Sequence, residues 1–183
     1  MKHPNLFQSY TFNNGVTVSN RLAVAPMTHL ASDDNGHITD EERQFLTDRF
    51  RGIGLFISAA TLVHDGGKAF YGQPEAIGPE DLPSLREVAR IAHDQGAKAL
   101  LQIHHGGWQS IPALNPNGEI FAPSEHPETG AKALTEAQIQ SIIDGYGRAA
   151  ELALEAGFDG VEIHGANNYL IQQFFSAQSN RRT

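Results

Sequence analysis

The feature that most constrains the fold of this chain is a repeated order of segments: an amphipathic helix, a glycine and then a short apolar strand. The order occurs three times, and the helices are predicted to close on Gly52, Gly96 and Gly157. Glycine suits these positions because a helix commonly ends through a left-handed residue. Strands that are apolar throughout and alternate with helices are typical of a parallel sheet that helices cover.

Four strands and their helices can be placed on this pattern. The strands are predicted at residues 22–25, 55–59, 99–103 and 160–163. The first and third helices are predicted to begin at Thr39-x-x-Glu42 and Thr135-x-x-Gln138, where the hydroxyl and the longer side chain can cap each other's backbone amides. The second helix should carry an apolar face of Leu85, Val88, Ala89 and Ala92, and the third a face of Ile139, Ile142, Ile143, Tyr146, Ala149 and Ala153. A fourth helix is predicted to begin near Asn168.

Two segments outside this pattern are also informative. Residues 10–12 and 16–18 alternate in polarity and flank Asn13-Asn14-Gly15, a turn sequence that predicts a β-hairpin. Residues 104–133 form a polar connection that is rich in proline and glycine. Because this connection is too long for a simple turn, we expect it to be a lid or a functional loop.

The order of elements fits either a doubly wound sheet or a (β/α)₈ TIM barrel. A nucleotide-binding doubly wound sheet usually has a glycine-rich turn after its first strand, and this chain has neither G-x-G-x-x-G nor G-x-x-x-x-G-K. Barrel enzymes place polar residues just past the carboxyl ends of their strands. Such residues follow all four strands: Thr28, Thr61, Gln102 with His104, and His164 with Asn167. We therefore expect an α/β fold made of the first four units of a barrel.

Length and composition narrow the expected organisation further. A complete barrel needs about 250 residues, so residues 1–183 are interpreted as a single domain that is the N-terminal half of a barrel.

The formal net charge of −8 argues against nucleic acid as a partner. The absence of cysteine excludes a disulfide, a thiol nucleophile and an iron–sulfur cluster within these residues. No apolar run is long enough for a signal peptide or a membrane span, so we expect a cytoplasmic protein.

The densest group of chemically useful residues follows the fourth strand. His164 directly follows that strand, and Asn167 and Tyr169 lie in the turn that enters the next helix. An imidazole and an amide that converge on one point can hold a carbonyl oxygen as it gains charge, and a nearby phenol can give a proton. The alternative interpretation is that these side chains only cap a helix and fill a polar rim.

This segment closely resembles the old yellow enzyme family of FMN-dependent ene-reductases. The resemblance lies in His164-x-Ala-Asn-x-Tyr-Leu, which continues to Arg182, and in Asn20-Arg-Leu-Ala-Val-Ala-Pro-Met-Thr28. It extends to residues 55–61 and to Gln102-Ile-His-His-Gly-Gly107, in the order and spacing of the family. It implies an NAD(P)H oxidoreductase that works by a ping-pong mechanism on the C=C bond of α,β-unsaturated carbonyl compounds.

The resemblance also implies roles for individual residues. The backbone groups of Pro26 and Met27 should line the flavin, and the Thr28 hydroxyl should bond the flavin O4. Ala60 should pack against the isoalloxazine ring, and Gln102 should pair with its pyrimidine edge. His164 and Asn167 should hold the carbonyl oxygen of the substrate, and Tyr169 should donate the proton. The implied cofactor is FMN, with NAD(P)H as reductant and a small unsaturated carbonyl compound as substrate.

The chain departs from the family at several points. Asn168 stands where many relatives have glycine, and Ala177 follows Ser176 where proline is usual. The second half of the family's barrel, which carries an arginine beside the flavin and the phosphate-binding loops, lies beyond Thr183. An alternative hypothesis is therefore a non-catalytic half-barrel, or an assembly module that pairs with another chain, including a second copy of itself, through its open sheet edges.

A metallohydrolase barrel is a further alternative, suggested by His104-His105. Neighbouring residues on a strand point to opposite faces, so one metal ion cannot easily take both side chains. The first strand is followed by Thr28-His29-Leu30 and not by the His-x-His of such enzymes, so we assign no metal ligands. Trp108 is expected either to shape the rim of the active site or to pack in a partly buried position.

Overall fold

The predicted hairpin and all four predicted strands form in the computed structural model, which describes residues 3–183. The hairpin pairs β1 (Tyr10–Thr11) with β2 (Thr17–Val18) in antiparallel register around a left-handed Gly15. The strands that follow are β3 (Ala23–Val24), β4 (Leu55–Ile57), β5 (Thr61–Leu62), β6 (Lys98–His104), β7 (Phe121–Ala122), β8 (Lys132–Ala133) and β9 (Gly160–Ile163). The helices are α1 (Asp40–Leu46), α2 (Leu82–Asp94), α3 (Glu136–Ala156) and α4 (Leu170–Phe175).

The main sheet is parallel throughout. β3 pairs with β4, β4 with β6, and β6 with β9, so neighbouring strands follow the order of the chain as in a barrel. β5 pairs with the carboxyl half of β6, on the side where β4 pairs with its amino half. β4 and β5 are therefore two pieces of one barrel strand, separated at residues 58–60. Within this break the Ser58 hydroxyl accepts a hydrogen bond from the Gln102 backbone N–H at 2.9 Å.

The core lies between this sheet and the helices. The predicted apolar face of α2 is buried, and it packs with Ala149 and Ala153 of α3 against side chains of β6 such as Leu101. Helix α3 begins with the predicted capping box, in which Thr135 and Gln138 cap each other's backbone amides. It ends at Gly157, whose φ of 94° requires the left-handed conformation. The predicted end of this helix at Gly157 is thus observed.

Helix α1 ends earlier than the sequence predicts. It stops at Leu46, whereas the pattern placed its end at Gly52. Thr47 is extended and Asp48 has a left-handed φ of 63°, and these two residues turn the chain inward. As a result Phe50 stacks on Phe56 of β4, with ring centres 4.2 Å apart. Burial of this aromatic pair outweighs continuation of an exposed helix.

The predicted capping box of α1 is only half formed. The Thr39 hydroxyl accepts from the Glu42 backbone N–H at 3.2 Å. The Glu42 carboxylate, however, does not return to cap Thr39, because it accepts from the Ser32 hydroxyl at 2.8 Å and lies 3.3 Å from His29 Nε2. Burial raises the pKa of Glu42. The Glu42 carboxylate is thus bound by Ser32 and His29 in place of the Thr39 backbone amide.

The long connection after β6 is an ordered segment with its own small core. It contains three single-turn 3₁₀ helices, at 107–109, 112–114 and 116–118, and the parallel pair β7 and β8. Trp108 stacks on His126 with ring centres 4.1 Å apart and packs against a cluster of Ile120, Ala122 and Ala131. Of the two expectations for Trp108, the packing role is the one observed.

One predicted apolar face is only partly covered. Ile142, Ala149 and Ala153 are buried, but Ile143 is 56% exposed, and Ile163 of β9 is 59% exposed. Together with residues of α4 they line an apolar groove of about 330 Å³, which we call the α3–α4 groove: Ile139, Ile142, Ile143, Tyr146, Ile163, Leu170, Ile171 and Phe174. Between residues 3 and 183, none of the helices has the length and hydrophobicity needed to span a bilayer.

Candidate active site

A cleft of about 330 Å³ opens at the carboxyl ends of the strands. Seven of the eight predicted site residues line it: Pro26, Thr28, Ala60, Gln102, His164, Asn167 and Tyr169. They come from four separate segments of the chain, which the parallel sheet brings to one edge. The eighth residue, Met27, does not line the cleft, and its side chain is 64% exposed. The role expected for Met27 concerned its backbone, and that role stays a prediction.

The floor of the cleft is a polar pair on neighbouring strands. Gln102 of β6 and Glu162 of β9 are register partners. The Gln102 side-chain N–H donates to the Glu162 carboxylate at 2.8 Å. This contact fixes the amide and leaves its carbonyl oxygen and second N–H for a ligand. Glu162 was not predicted as a site residue, although a lone carboxylate inside an apolar strand is a signal that points into a barrel.

The side of the cleft nearest β3 and β4 is small and mostly apolar. Pro26 and Ala60 present short apolar surfaces, and the Thr28 hydroxyl stands beside them. Ala60 lies in the break between β4 and β5, where its carbonyl is free of the ladder and accepts from Gln73 Nε2 at 3.1 Å. A flat aromatic ligand with polar edges would find an apolar wall and the Thr28 hydroxyl here, with the Gln102 amide on the adjoining floor.

The opposite side carries the candidate proton chemistry. His164 and Tyr169 meet edge to face, with ring centres 5.0 Å apart. His164 Nδ1 accepts from the Ala166 backbone N–H at 3.3 Å, so the neutral imidazole carries its proton on Nε2. Burial lowers the pKa of His164, although Glu162 opposes this shift. Burial also raises the pKa of Tyr169, so both groups are neutral near pH 7.

The turn between β9 and α4 is held in an unusual conformation. Asn167 and Asn168 both have left-handed backbones, with φ of 53° and 61°. Asparagine tolerates this region better than other non-glycine residues, so it suits both positions of this turn. The fully buried Gln173 ties the turn down, because its Nε2 donates to the Asn168 carbonyl at 2.7 Å and its Oε1 accepts from the Trp108 N–H at 3.2 Å.

Two residues expected at the mouth of the cleft lie elsewhere. Thr61 is 1% exposed and lines a small cavity beside Leu85 of α2, so it faces the helix layer, and its hydroxyl donates to the Ala59 carbonyl at 2.9 Å. The break at 58–60 shifts the alternation of faces, which strand periodicity alone does not show. His104 is fully buried behind the cleft, against Tyr169 and His164, and does not line it.

The two adjacent histidines occupy different surroundings, as predicted. His104 contacts the cleft side chains, whereas His105 is buried under the loop at 64–67 and its Nδ1 accepts from the Gly107 N–H at 3.1 Å. Within the described part of the chain, no three or more side chains of the types His, Cys, Asp and Glu are grouped so that they could hold a metal ion.

Comparison with known proteins relates this site to a family of flavoenzymes. The family described as NADH:flavin oxidoreductase / NADH oxidase matches residues 5–183. The chain is 46% identical to a probable NADH-dependent flavin oxidoreductase, YqiG, of Bacillus subtilis (strain 168), over 100% of the chain and 50% of that protein. It is 39% identical to the NADH:fumarate oxidoreductase of Klebsiella pneumoniae (strain 342), over 97% of the chain and 20% of that protein.

Solved structures give the same result for the fold. An old yellow enzyme from Pichia sp. AKU4542 superposes with a TM-score of 0.90 at 26% identity, over 98% of the chain and 50% of that structure. Morphinone reductase superposes with a TM-score of 0.87 at 27% identity, over 98% of the chain and 52% of that structure. The expected fold, the first units of a (β/α)₈ barrel, and the resemblance to old yellow enzymes are thereby confirmed. The chain spans about half the length, or less, of these relatives.

Proposed function

The chain belongs to the NADH:flavin oxidoreductase / NADH oxidase family, and on this premise we propose that it provides the substrate-binding and proton-donating half of an FMN-dependent ene-reductase. The proposed reaction is the reduction of a C=C bond conjugated to a carbonyl group, with NAD(P)H as the reductant. Residues 1–183 would be the N-terminal half of the barrel domain that carries this activity.

The observation that supports this proposal most strongly is the convergence of two sets of residues on one cleft. The residues expected to contact the flavin, among them Thr28 and Gln102, line the same cleft as the residues expected to contact the substrate, among them His164 and Tyr169. A flavin and an alkene must lie face to face for a hydride to pass between them. A single cleft that presents both sets of groups meets that requirement.

The residues present suit the isoalloxazine ring of FMN. Pro26 and Ala60 offer an apolar surface for its plane, and the Thr28 hydroxyl and the Gln102 amide offer hydrogen bonds to its polar edge. Ala60 borders the cleft and is only 4% exposed. A larger side chain at this position would therefore project into the space that the ring would occupy. FMN, when bound, would supply a hydride acceptor for NAD(P)H and a hydride donor for the alkene.

The protein's own groups would activate the substrate and protonate it. The Nε2–H of His164 and the side-chain amide of Asn167 would donate to the carbonyl oxygen and stabilise the negative charge that develops on it. Tyr169, neutral because burial raises its pKa, would give its proton to the α carbon. Glu162 would hold Gln102 in the orientation that faces the ligand.

The test is to isolate the full-length protein and follow its two half-reactions separately without oxygen. We expect a flavin absorption spectrum that survives gel filtration, is bleached by NADH or NADPH, and returns on addition of cyclohexenone. A protein that NADH reduces, that cyclohexenone does not reoxidise, and whose flavin spectrum returns only when oxygen is then admitted would contradict the ene-reductase proposal and favour an NADH oxidase. A protein that binds no FMN would overturn the cofactor assignment.

A second candidate function, assembly through the open edge, is supported by a separate observation. The outer strand β9 pairs on one side only among the described residues, and the α3–α4 groove beside it is apolar. If this surface joins two copies, the 183-residue chain should form a stable dimer in size-exclusion chromatography with light scattering. A monomer at all concentrations would exclude this candidate.

A further inference from the structure

His104 lies directly against the two rings to which we assign substrate chemistry. Its side chain has no exposed surface, and it ends β6 behind the cleft. The Tyr169 ring centre is 4.4 Å away with the two planes at 80°, and the His164 ring centre is 5.3 Å away at 59°. Phe70 is the third ring neighbour, at 5.7 Å and 36°. Neither the resemblance nor the cleft lining gives this imidazole a role.

Gln73 determines which nitrogen of His104 carries the proton. Gln73 is fully buried, and its Oε1 accepts from the Ala69 backbone N–H at 2.9 Å. Its Nε2 faces two acceptors, the Ala60 carbonyl at 3.1 Å and His104 Nδ1 at 3.0 Å. The opposite amide orientation would set the oxygen against the Ala60 carbonyl, so it is unfavourable. His104 Nδ1 is therefore an acceptor, and the proton of the neutral ring is on Nε2.

The Nε2–H of His104 has no oxygen or nitrogen partner among the described residues, although it is buried. An unpaired buried N–H is costly and rare in folded proteins, so it calls for an explanation. Tyr169 is the nearest ring and the only one of the three that stands close to perpendicular to the imidazole. This is the arrangement in which an N–H on the edge of one ring meets the electron-rich face of another.

We propose that His104 is a positioning residue for Tyr169: its Nε2–H is directed at the phenol ring and stabilises the tyrosinate that remains after proton donation. This inference rests on the proposed function. In the step concerned, the O–H bond of Tyr169 breaks, a C–H bond forms at the α carbon of the substrate, and water later returns a proton to the phenolate. His104 stays neutral throughout and exchanges no proton.

The other titratable groups around this pair are few. His164 packs on both rings, and Glu162 lines the same cleft. Burial, together with His164 and His105, holds the pKa of His104 well below its ordinary value. The imidazole therefore remains a neutral N–H donor over the whole range in which Tyr169 works.

The test measures the acidity of Tyr169 without substrate. In the full-length protein labelled at tyrosine Cζ, ¹³C NMR follows the phenol through its titration, and the resonance that is lost in Tyr169→Phe identifies Tyr169 among the labelled tyrosines. His104→Met removes the N–H at similar volume, and we expect it to raise the pKa of Tyr169 by about one pH unit, a tenfold loss of acidity. His104→Gln keeps an N–H donor and should restore most of this loss.

His105→Met is the matched control, because His105 is also buried with an unpaired Nε2 but makes no ring contact with Tyr169. It should leave the pKa of Tyr169 unchanged. An equal shift in both Met variants, or equal shifts in His104→Met and His104→Gln, would overturn the donor role. A ¹⁵N spectrum that shows the wild-type His104 proton on Nδ1 would also overturn it.

These measurements need neither NAD(P)H nor an alkene. A protein that fails to reduce cyclohexenone but shows the expected shift would refute the proposed function and leave the His104–Tyr169 contact standing. A protein that reduces cyclohexenone but shows no shift in the pKa of Tyr169 would refute the role of His104 and leave the proposed function standing. In an active protein, His104→Met should also slow the reoxidation of the flavin by cyclohexenone more than its reduction by NAD(P)H.

Discussion

The His164 imidazole and the Tyr169 phenol stand at 84° to each other, with ring centres 5.0 Å apart. His164 directly follows β9 and Tyr169 is the N-cap of α4, and the left-handed Asn167 and Asn168 lie in the turn between them. The phenol is therefore held by backbone geometry as well as by packing. Its orientation relative to the carbonyl-binding groups decides whether a proton can reach a bound substrate.

Tyr169→Phe separates proton donation from every other role of the site. We expect the reoxidation of the flavin by an enone to slow by about 10²-fold or more, because general acid catalysis typically contributes that much. The reduction of the flavin by NAD(P)H should stay unchanged, since it needs no proton from this residue. Stopped-flow absorbance measures both steps. Equal loss in the two half-reactions would refute the assignment of Tyr169 as the proton donor.

Ala60→Val tests the flavin wall, with Ala59→Val as its control. Both alanines are 4% exposed, but Ala60 borders the cleft whereas Ala59 lines a small cavity on the helix side. Ala60→Val should weaken FMN binding at least tenfold, because two methyl groups would occupy the space of the ring. Ala59→Val should lower stability by about 1–3 kcal/mol and leave FMN binding intact. FMN titration by fluorescence quenching and urea unfolding distinguish the two.

The buried His105 should make the protein sensitive to acid. Burial, with a smaller effect of His64, lowers the pKa of His105 from 6.5 to about 3 in the folded state. The unfolded chain therefore binds the proton more tightly, and folding stability falls as the pH drops below about 6.5 and levels off near pH 3. The slope from this residue is up to about 1.4 kcal/mol per pH unit.

His105→Gln should flatten this slope, whatever its effect on absolute stability. The free energy of unfolding in urea at several values between pH 7 and pH 4 provides the measurement. Curves for the wild type and the variant that run parallel would mean that His105 binds its proton over the same pH range in the folded and unfolded protein, and would contradict the lowered pKa.

Gly147, inside α3, and Gly157, which caps it, should respond to alanine in opposite ways. Gly157→Ala places a Cβ at a φ of 94° with no atom within 4 Å, so its cost is backbone strain alone, about 1–2 kcal/mol. Gly147→Ala adds a Cβ inside the helix, also with no atom within 4 Å, and should stabilise the protein by about 0.5–1 kcal/mol. Thermal unfolding of the two variants compares the effects, and a destabilising Gly147→Ala would contradict the helix assigned there.

Much of the fold could be predicted from local sequence, and the predictions that failed have one common cause. The caps at Thr135 and Gly157 were predictable because their partners are within four residues in the chain. The predicted end of α1 and the predicted capping role of the Glu42 carboxylate were wrong, because both depend on residues distant in the chain. Phe50 packs on Phe56, and the Glu42 carboxylate lies against His29. Periodicity describes a helix or strand by itself and contains no information on such tertiary partners.

The candidate site divides in the same way. His164, Asn167 and Tyr169 were found because they lie within six residues of each other in the sequence. Gln73 could not be found, because it lies in an irregular loop and acts on Ala60 and His104 from 13 and 31 residues away. Its importance comes from burial and from the direction of one amide group, which only the folded chain defines.

The break in the barrel strand at residues 58–60 has a consequence for how related sequences should vary. Insertions and deletions are ordinarily tolerated where a chain leaves its hydrogen-bonded ladder. Here β4 and β5 could still pair with β6 after the loss or gain of a single residue. Such a change would nevertheless alter which side chains of this segment face the cleft, as Ala60 does, and which face the helices, as Ala59 does. We therefore expect the length of this segment to be fixed among relatives that bind flavin, although it belongs to neither strand.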